Sequence, residues 1–286
     1  IVLHLAAQPI VSVGYEAPAE TFETNIMGVV HLLDACRHLQ GNVPVLIISS
    51  DKCYRNNDDG HAFRVDDPLG GHDPYSASKA GTEIVVGSYG ASYFKDAAGP
   101  VLASARAGNV VGGGDWSVDR LLPDGARAFS AGSALALRNP LATRPWQHVL
   151  EPLSGYLLVG QLLFQNRIEG GHSFNFGPDS LNDRSVGDLV RDLNREWEKS
   201  CMAESSQRFR YEKSALGASE AGLLKLNCDK ARSLLAWNPT LTFDELIEFI
   251  VEWYVDTDSD KSRITDQQLT QYELKAKNRG LLWAQK

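Results

Sequence analysis

Asp73-Pro74-Tyr75-Ser76-Ala77-Ser78-Lys79 is the stretch whose reading decides the fold. Asp73 suits a helix cap and Pro74 the first helical position, so a helix is predicted from Tyr75 to about Tyr93. Tyr75 and Lys79, four apart, then share one helix face. A nearby ammonium favours the phenolate, so such a Tyr can give and take protons near neutral pH. Upstream, Ser49-Ser50-Asp51-Lys52 follows the apolar run Val45-Leu46-Ile47-Ile48. Ser50, at the end of a strand, can hydrogen-bond the same substrate oxygen as Tyr75. Asp51 and Lys52 add a second acid/base pair, which suggests more than the oxidation of an alcohol.

Outward from this stretch, strand and helix patterns alternate. Ile1 to Ala7 reads as a buried strand, Glu23 to Leu39 as a helix with Ile26, Val30 and Leu33 at helical spacing, and Val101 to Arg106 as another strand. Val45 to Ile48 fits a parallel strand covered on both faces. Together they predict an α/β fold with a doubly wound parallel sheet. After about residue 110 the alternation fades. Gly112 to Pro123 reads as a loop shaped around a ligand, Leu121 to Ser130 as a short helix and Ala134 to Asn139 as a strand. Pro152 to Gln165, Ser185 to Trp197 and the segment behind the capping box Thr242-Phe243-Asp244-Glu245 are predicted helices, and Ser173 to Phe176 is a strand. The charged tail from Asp256 reads as a surface helix or a frayed end. The expected division is one domain over 1–112 and a smaller α/β domain over 113–286, with room for one return crossing.

Composition sets limits. The chain has 286 residues and a net charge of −8, which argues against a nucleic-acid binder. An anionic ligand must therefore be held by local cations such as Arg138 and Arg144. Cys36, Cys53, Cys201 and Cys228 show no metal-ligand spacing, and a reducing, cytoplasmic setting is the default. No apolar run is long enough to span a bilayer, and Ile1 to Leu5 does not read as a signal peptide.

Longer strings carry a family resemblance. His4-Leu-Ala-Ala-Gln8, the helix containing Asn25, Ser50, Tyr75 and Lys79 resemble the extended short-chain dehydrogenase/reductases. Ser49-Ser-Asp-Lys-Cys-Tyr54, Asp67-Pro-Leu-Gly-Gly71, the Tyr75 string, Arg106 to Trp116 and Arg144 to Tyr156 are similar to the CDP-glucose 4,6-dehydratases within that superfamily. Asp229-Lys-Ala-Arg232 and Trp237-Asn-Pro239 match the C-terminal signature of extended members.

The resemblance implies a Rossmann-like NAD-binding domain, a substrate-binding domain, a homodimer, CDP-glucose as the small-molecule partner, and a place in deoxysugar synthesis for surface polysaccharide. It implies catalytic roles for Ser50, Asp51, Lys52, Tyr75 and Lys79. Ala6, Ala7, Gln8 and Asn25, with Tyr75 and Lys79, would contact the cofactor; Asn109, Arg138 and Arg144 would bind substrate. Asn25 either anchors its helix to the first strand or orders a relay water. The Gly-rich phosphate loop of the family is missing from these residues. That implies an N-terminally truncated fragment, short of roughly 60–80 residues at about 30 or more per strand-helix-strand unit. Another nucleotide-sugar dehydratase, a 4-epimerase and a non-catalytic fragment remain alternatives.

Overall fold

The computed structural model describes residues 1–96, 98–178, 184–201, 209–211 and 222–285. The chain forms two compact units. One comprises Ile1–Gly108, Pro152–Gly177 and Leu226–Asn238; the other comprises the described residues of 109–151, 178–225 and 239–286. The chain thus returns to the first unit twice, where the sequence left room for one return from a boundary at 112. Strand Ser173–Phe176 and helix Asp229–Leu235 account for the two returns.

The first unit holds a four-stranded, all-parallel sheet in the order Val2–His4, Pro44–Ile48, Val101–Ala107, Ser173–Phe176. The predicted α/β alternation produces it. Side chains alternate across the sheet. Val45, Ile47 and Leu102 pack against Val29, Leu33 and Cys36 of helix Gly28–Cys36 and Val86 of helix Pro74–Tyr93. On another side of Phe176 lie Tyr156, from helix Leu150–Phe164, and Trp237, both edge-on to its ring. The first strand is shorter than the predicted Ile1–Ala7 and half-buried, and among the described residues it pairs with Pro44–Ile48. A short helix, Val11–Glu16, follows the first strand; the helical stretch predicted from Glu23 begins earlier, at Pro18, and includes a π-helical turn at Glu23–Met27.

The Tyr75 helix spans Pro74–Tyr93, with the Asp73 carboxylate accepting the Ser76 N–H at 2.9 Å. Gly71 lies directly on its first turn. A Cβ there would stand 2.3 Å from the Ser76 Cβ and 2.6 Å from the Ala77 nitrogen.

The second unit packs helices Leu121–Ser130, Val186–Cys201 and Phe243–Val255 around a core that includes Phe129, Trp146, Leu189, Trp197 and Ile250. Trp146 is core, its indole N–H donating to the Arg184 carbonyl at 3.2 Å, whereas Trp116 is exposed against Tyr254. The Thr242–Glu245 capping box forms as its spacing predicts. The charged tail is a helix, Ser262–Asn278, and its Gln268, Tyr272 and Ala276 are buried. Lys275 and Arg279 reach back to Glu245, which explains why so charged a helix packs.

Cys36, Cys53 and Cys228 are buried free thiols; the Cys201 side chain lies outside the described residues. Among the described residues no group of side chains suits a metal ion, and no helix is long and apolar enough to cross a membrane.

Two expectations follow. Gly71→Ala forces a methyl into the backbone of the Tyr75 helix and should cost roughly 1–3 kcal/mol, read by urea unfolding. The second concerns Glu151, which is buried and accepts the N–H groups of Thr240 and Leu241 and the Tyr272 hydroxyl. Burial lifts its carboxyl to about 7, although these hydrogen bonds and Arg279 pull the other way. The folded protein then holds this proton more tightly than the unfolded chain does. The associated stability is complete below the ordinary Glu range and is lost as pH rises through about 7. Unfolding at pH 4.5 and pH 8 should differ by up to about 3 kcal/mol more in wild type than in Glu151→Gln.

Candidate functional site

The first unit brings one group of side chains together on the buried face of the Tyr75 helix. Tyr75, Lys79 and Glu83 lie at successive four-residue intervals, and all three are buried. The 3₁₀ turn Asp51–Cys53 packs against this helix. Ser50 precedes the turn in extended conformation; its hydroxyl accepts the Lys52 N–H at 3.2 Å and donates to the Asp51 carboxylate at 3.0 Å. Asp51 is buried and Lys52 half-buried. The Asp51 charge also reaches the buried Tyr156 phenol, which burial pushes up.

Lys79 has an unusual setting. Burial pushes its ammonium down to about 8, against the attraction of Glu83. His4, on the first strand, faces it. Burial and then the Lys79 charge hold that imidazole below its usual value, and its Nε2 is buried without a hydrogen bond.

Asn25 explains how the first strand's end meets this helix. Its side-chain oxygen accepts the Gln8 N–H at 2.8 Å, while its amide donates to the Gln8 carbonyl at 3.0 Å and the Ser78 hydroxyl at 2.8 Å. These bonds tie the Asn25 turn and the Tyr75 helix to the segment that follows the first strand. The π-helical turn leaves the Asn25 carbonyl pointing at the Tyr75 helix, where the Thr82 hydroxyl donates to it at 2.8 Å. Gly14 touches the Tyr75 backbone; a Cβ there would come within 3.3 Å of its nitrogen. Ala6 is exposed and Ala7 half-buried just beyond the strand.

Glu83 and Arg106 were not singled out as site residues from the sequence. The Glu83 carboxylate accepts the Ser49 hydroxyl at one oxygen, and Ser104 (2.9 Å) and Arg106 (2.8 Å) at the other. Arg106 also donates to the Tyr54 hydroxyl at 2.7 Å and the Val65 carbonyl at 2.9 Å, and Tyr54 donates to Asn175 at 2.7 Å. Burial works against the Arg106 charge, but Glu83 overrides it and holds the guanidinium above its usual value. Two signals pointed here: a charged residue inside an otherwise buried strand, and an acid one turn beyond Lys79 on the same stripe. Cys53 lies in this surrounding with its thiol pushed well up by burial, hence unreactive.

The remaining predicted residues belong to the second unit. The Asn109 carbonyl accepts the Gln147 N–H at 3.1 Å. Arg144 is buried and donates to the carbonyls of Thr143 and Gly222. Arg138 is exposed and paired with Asp119 at 2.8 Å.

Known proteins are similar to this chain in sequence and in fold. A CDP-glucose 4,6-dehydratase of Salmonella typhimurium is 41% identical over 261 residues, which is 89% of this chain and 70% of that protein. The dTDP-glucose 4,6-dehydratase of Bacillus anthracis, solved in complex with NAD, superposes with a TM-score of 0.72 at 20% identity, covering 92% of this chain and 74% of that one. The UDP-glucuronic acid 4-epimerase of Bacillus cereus, solved with UDP-glucuronic acid and NAD, gives 0.74 at 20% identity over 89% and 75%. At such identities the two structures speak to the fold alone. The sequence match is firmer: the family described as GDP-mannose 4,6 dehydratase covers residues 1–250. With that span, and a relative matched over more than two thirds of its length, the chain belongs to the GDP-mannose 4,6-dehydratase family.

Proposed function

We propose that this protein is a hydro-lyase that converts CDP-glucose to CDP-4-keto-6-deoxyglucose with NAD as cofactor. One observation carries the reading: the Tyr75–Lys79 stripe and the Ser50–Asp51–Lys52 turn pack against each other in one unit. The choice of nucleotide rests on the Salmonella relative. The unit that comprises Ile1–Gly108, Pro152–Gly177 and Leu226–Asn238 would hold the cofactor and the other unit most of the substrate.

The residues present fit the nicotinamide half of NAD. A buried imidazole nitrogen without a partner and a desolvated ammonium face each other at the end of a parallel strand, and small side chains follow at Ala6 and Ala7. Open parallel sheets bind cofactors at such strand ends. Lys79 and Tyr75 would hold the ribose, Ala6, Ala7 and Gln8 the adjoining wall, with Asn25 fixing Gln8 in place. NAD, when bound, supplies the acceptor for the C4 hydride and the donor that returns it at C6.

Tyr75 takes the proton of the sugar 4-hydroxyl, and the Lys79 charge favours the phenolate it needs. Ser50 orients the 4-oxygen by turning its hydroxyl from Asp51. The 4-ketone acidifies the C5 proton, which Lys52 removes as the free amine and gives back to C5 once C6 has received its hydride. Asp51, as the carboxylic acid, protonates the departing 6-hydroxyl, which leaves as water. In the second unit, Asn109 would offer a hydrogen-bonding amide, and Arg144, buried and donating to the carbonyls of Thr143 and Gly222, would have to exchange those bonds to grip a diphosphate. Arg138 is held only by an exposed ion pair, which a diphosphate can displace.

The protein would work inside the cell as a homodimer, in deoxysugar synthesis for surface polysaccharide. Exposed Met27, Ile84 and Tyr93, on the two helical stretches that cover one sheet face, support pairing there.

Incubation with CDP-glucose and NAD should yield the ultraviolet band of a 4-keto sugar in alkali. No band, but an inverted C4, would identify an epimerase instead. Tyr75→Phe should lower kcat by about 10²–10⁴-fold. Asp51→Asn with Lys52→Ala should still oxidise C4 but retain the 6-hydroxyl, visible by NMR of the sugar. Full dehydration by that double variant would defeat the assignment of roles.

A further inference from the structure

Glu83 is absorbed by none of the steps above, yet it is buried at the centre of the polar network. Its carboxylate has two ends with different duties. One oxygen takes the hydroxyl of Ser49, the residue before Ser50. The other takes Arg106 Nη2 at 2.8 Å and the Ser104 hydroxyl at 2.9 Å, both from the strand Val101–Ala107. The residue itself stands one turn beyond Lys79 on the stripe that carries Tyr75. Resting on the reading just given, we propose that Glu83 is a positioning residue. Its carboxylate ties the strand end bearing Ser50, Asp51 and Lys52 to the helix face bearing Tyr75 and Lys79, and supplies the counter-charge that keeps Lys79 cationic.

The charge distribution supports this. Three groups interact with the Lys79 charge: Glu83, one turn along the same helix, Cys53 of the 3₁₀ turn and His4 of the first strand. Of these, Glu83 is the carboxylate. Lys79 must remain cationic to assist Tyr75, while desolvation pushes it toward neutrality. Arg106 compensates Glu83 in turn: a buried carboxylate is tolerated when a hydrogen-bonded guanidinium faces it. The Tyr54 hydroxyl and the Val65 carbonyl hold that guanidinium in place. A purely structural ion pair has no need to stand one turn from the catalytic cation or to hold the residue next to Ser50.

The test uses two variants and readouts that do not require turnover. Glu83→Gln combined with Arg106→Met removes both buried charges together, so neither is left uncompensated. Lys79 is followed by NMR of ¹³C-lysine-labelled protein, with its signal assigned by loss in Lys79→Met. The wild-type midpoint should lie near 8. In the double variant it should fall, by less than the roughly one to three units that losing an opposite charge alone would give, because the like charge of Arg106 is removed with it. The basic limb of the kcat/KM profile should move down with it. Ser49→Ala cuts only the tie to the strand end. It should leave the Lys79 midpoint in place, speed amide exchange of Ser50 to Cys53 at least tenfold, and lower kcat more than it raises KM. An unmoved Lys79 midpoint in a folded double variant overturns the charge role. Unchanged amide exchange in Ser49→Ala overturns the tether, whether or not the double variant folds. If the wild type turns over no nucleotide sugar, the catalytic reading fails while the titration and exchange results still decide the placement of Glu83.

Discussion

A buried ion pair between a helix and a sheet constrains everything around it. Arg106 and Glu83 are both almost fully withdrawn from water. Desolvating two such charges costs several kcal/mol each, and their attraction offsets that only when hydrogen bonds satisfy the remaining valences. The surrounding polar residues make sense in those terms. Ser49, Ser104, Tyr54 and the Val65 carbonyl are the partners that make the pair tolerable, and Asn175 completes the chain by taking the Tyr54 proton and donating to the Phe63 carbonyl. Each comes from a different strand or loop of the first unit. A network that spans three strands and one helix also fixes the rotation of that helix, and so the direction in which Tyr75 and Lys79 point.

A second lock acts nearer the N-terminal end of the same helix. Asn25 grips both backbone groups of Gln8 and the Ser78 hydroxyl, and Ser78 in turn donates to the Tyr75 carbonyl at 2.7 Å. A regular α-helix would direct the Asn25 carbonyl along its own axis; the π-helical turn accompanies its capture by Thr82 instead. The helix is therefore held from the first strand near Ser78 and from the central strands near Glu83. Tyr75 and Lys79 sit within a turn of those two holds, where their geometry is defined more tightly than by helix propensity alone.

The parts legible in the sequence were those governed by local rules. The Leu121–Ser130 helix, the Ser173–Phe176 strand, the Asp73 cap and the Thr242–Glu245 box all depend on a few neighbouring residues, and the structure has them. The pairing of Tyr75 with Lys79 on one face was legible for the same reason. What stayed hidden depends on contacts far along the chain. The burial of Tyr272 in a charged tail depends on Glu151, 121 residues away. The Asn25 carbonyl in the π-helical turn is taken by Thr82, 57 residues downstream, and the pairing of Glu83 with Arg106 joins a helix to a strand 23 residues on. The buried setting of Arg144 was likewise invisible, because its acceptor at Gly222 is 78 residues off.

The hidden part bears directly on chemistry. Pattern alone supplied a Tyr, a Lys, a Ser and an Asp-Lys pair, which is a list of functional groups without their energies. Burial changes their properties most where charge is concentrated, and Lys79 is the clearest case. An ammonium with an ordinary value would stay protonated far above neutral pH and would need no counter-charge. One lowered to about 8 sits close enough to neutrality that its state depends on what stands beside it. The site thus gains a desolvated cation, which acts more strongly on a phenolate in a low dielectric, and must then protect that cation from losing its proton. An acid one helical turn away answers that need, and the cost of burying the acid calls for an arginine behind it. The ion pair between helix and sheet and the lysine one turn away then form a single electrostatic unit.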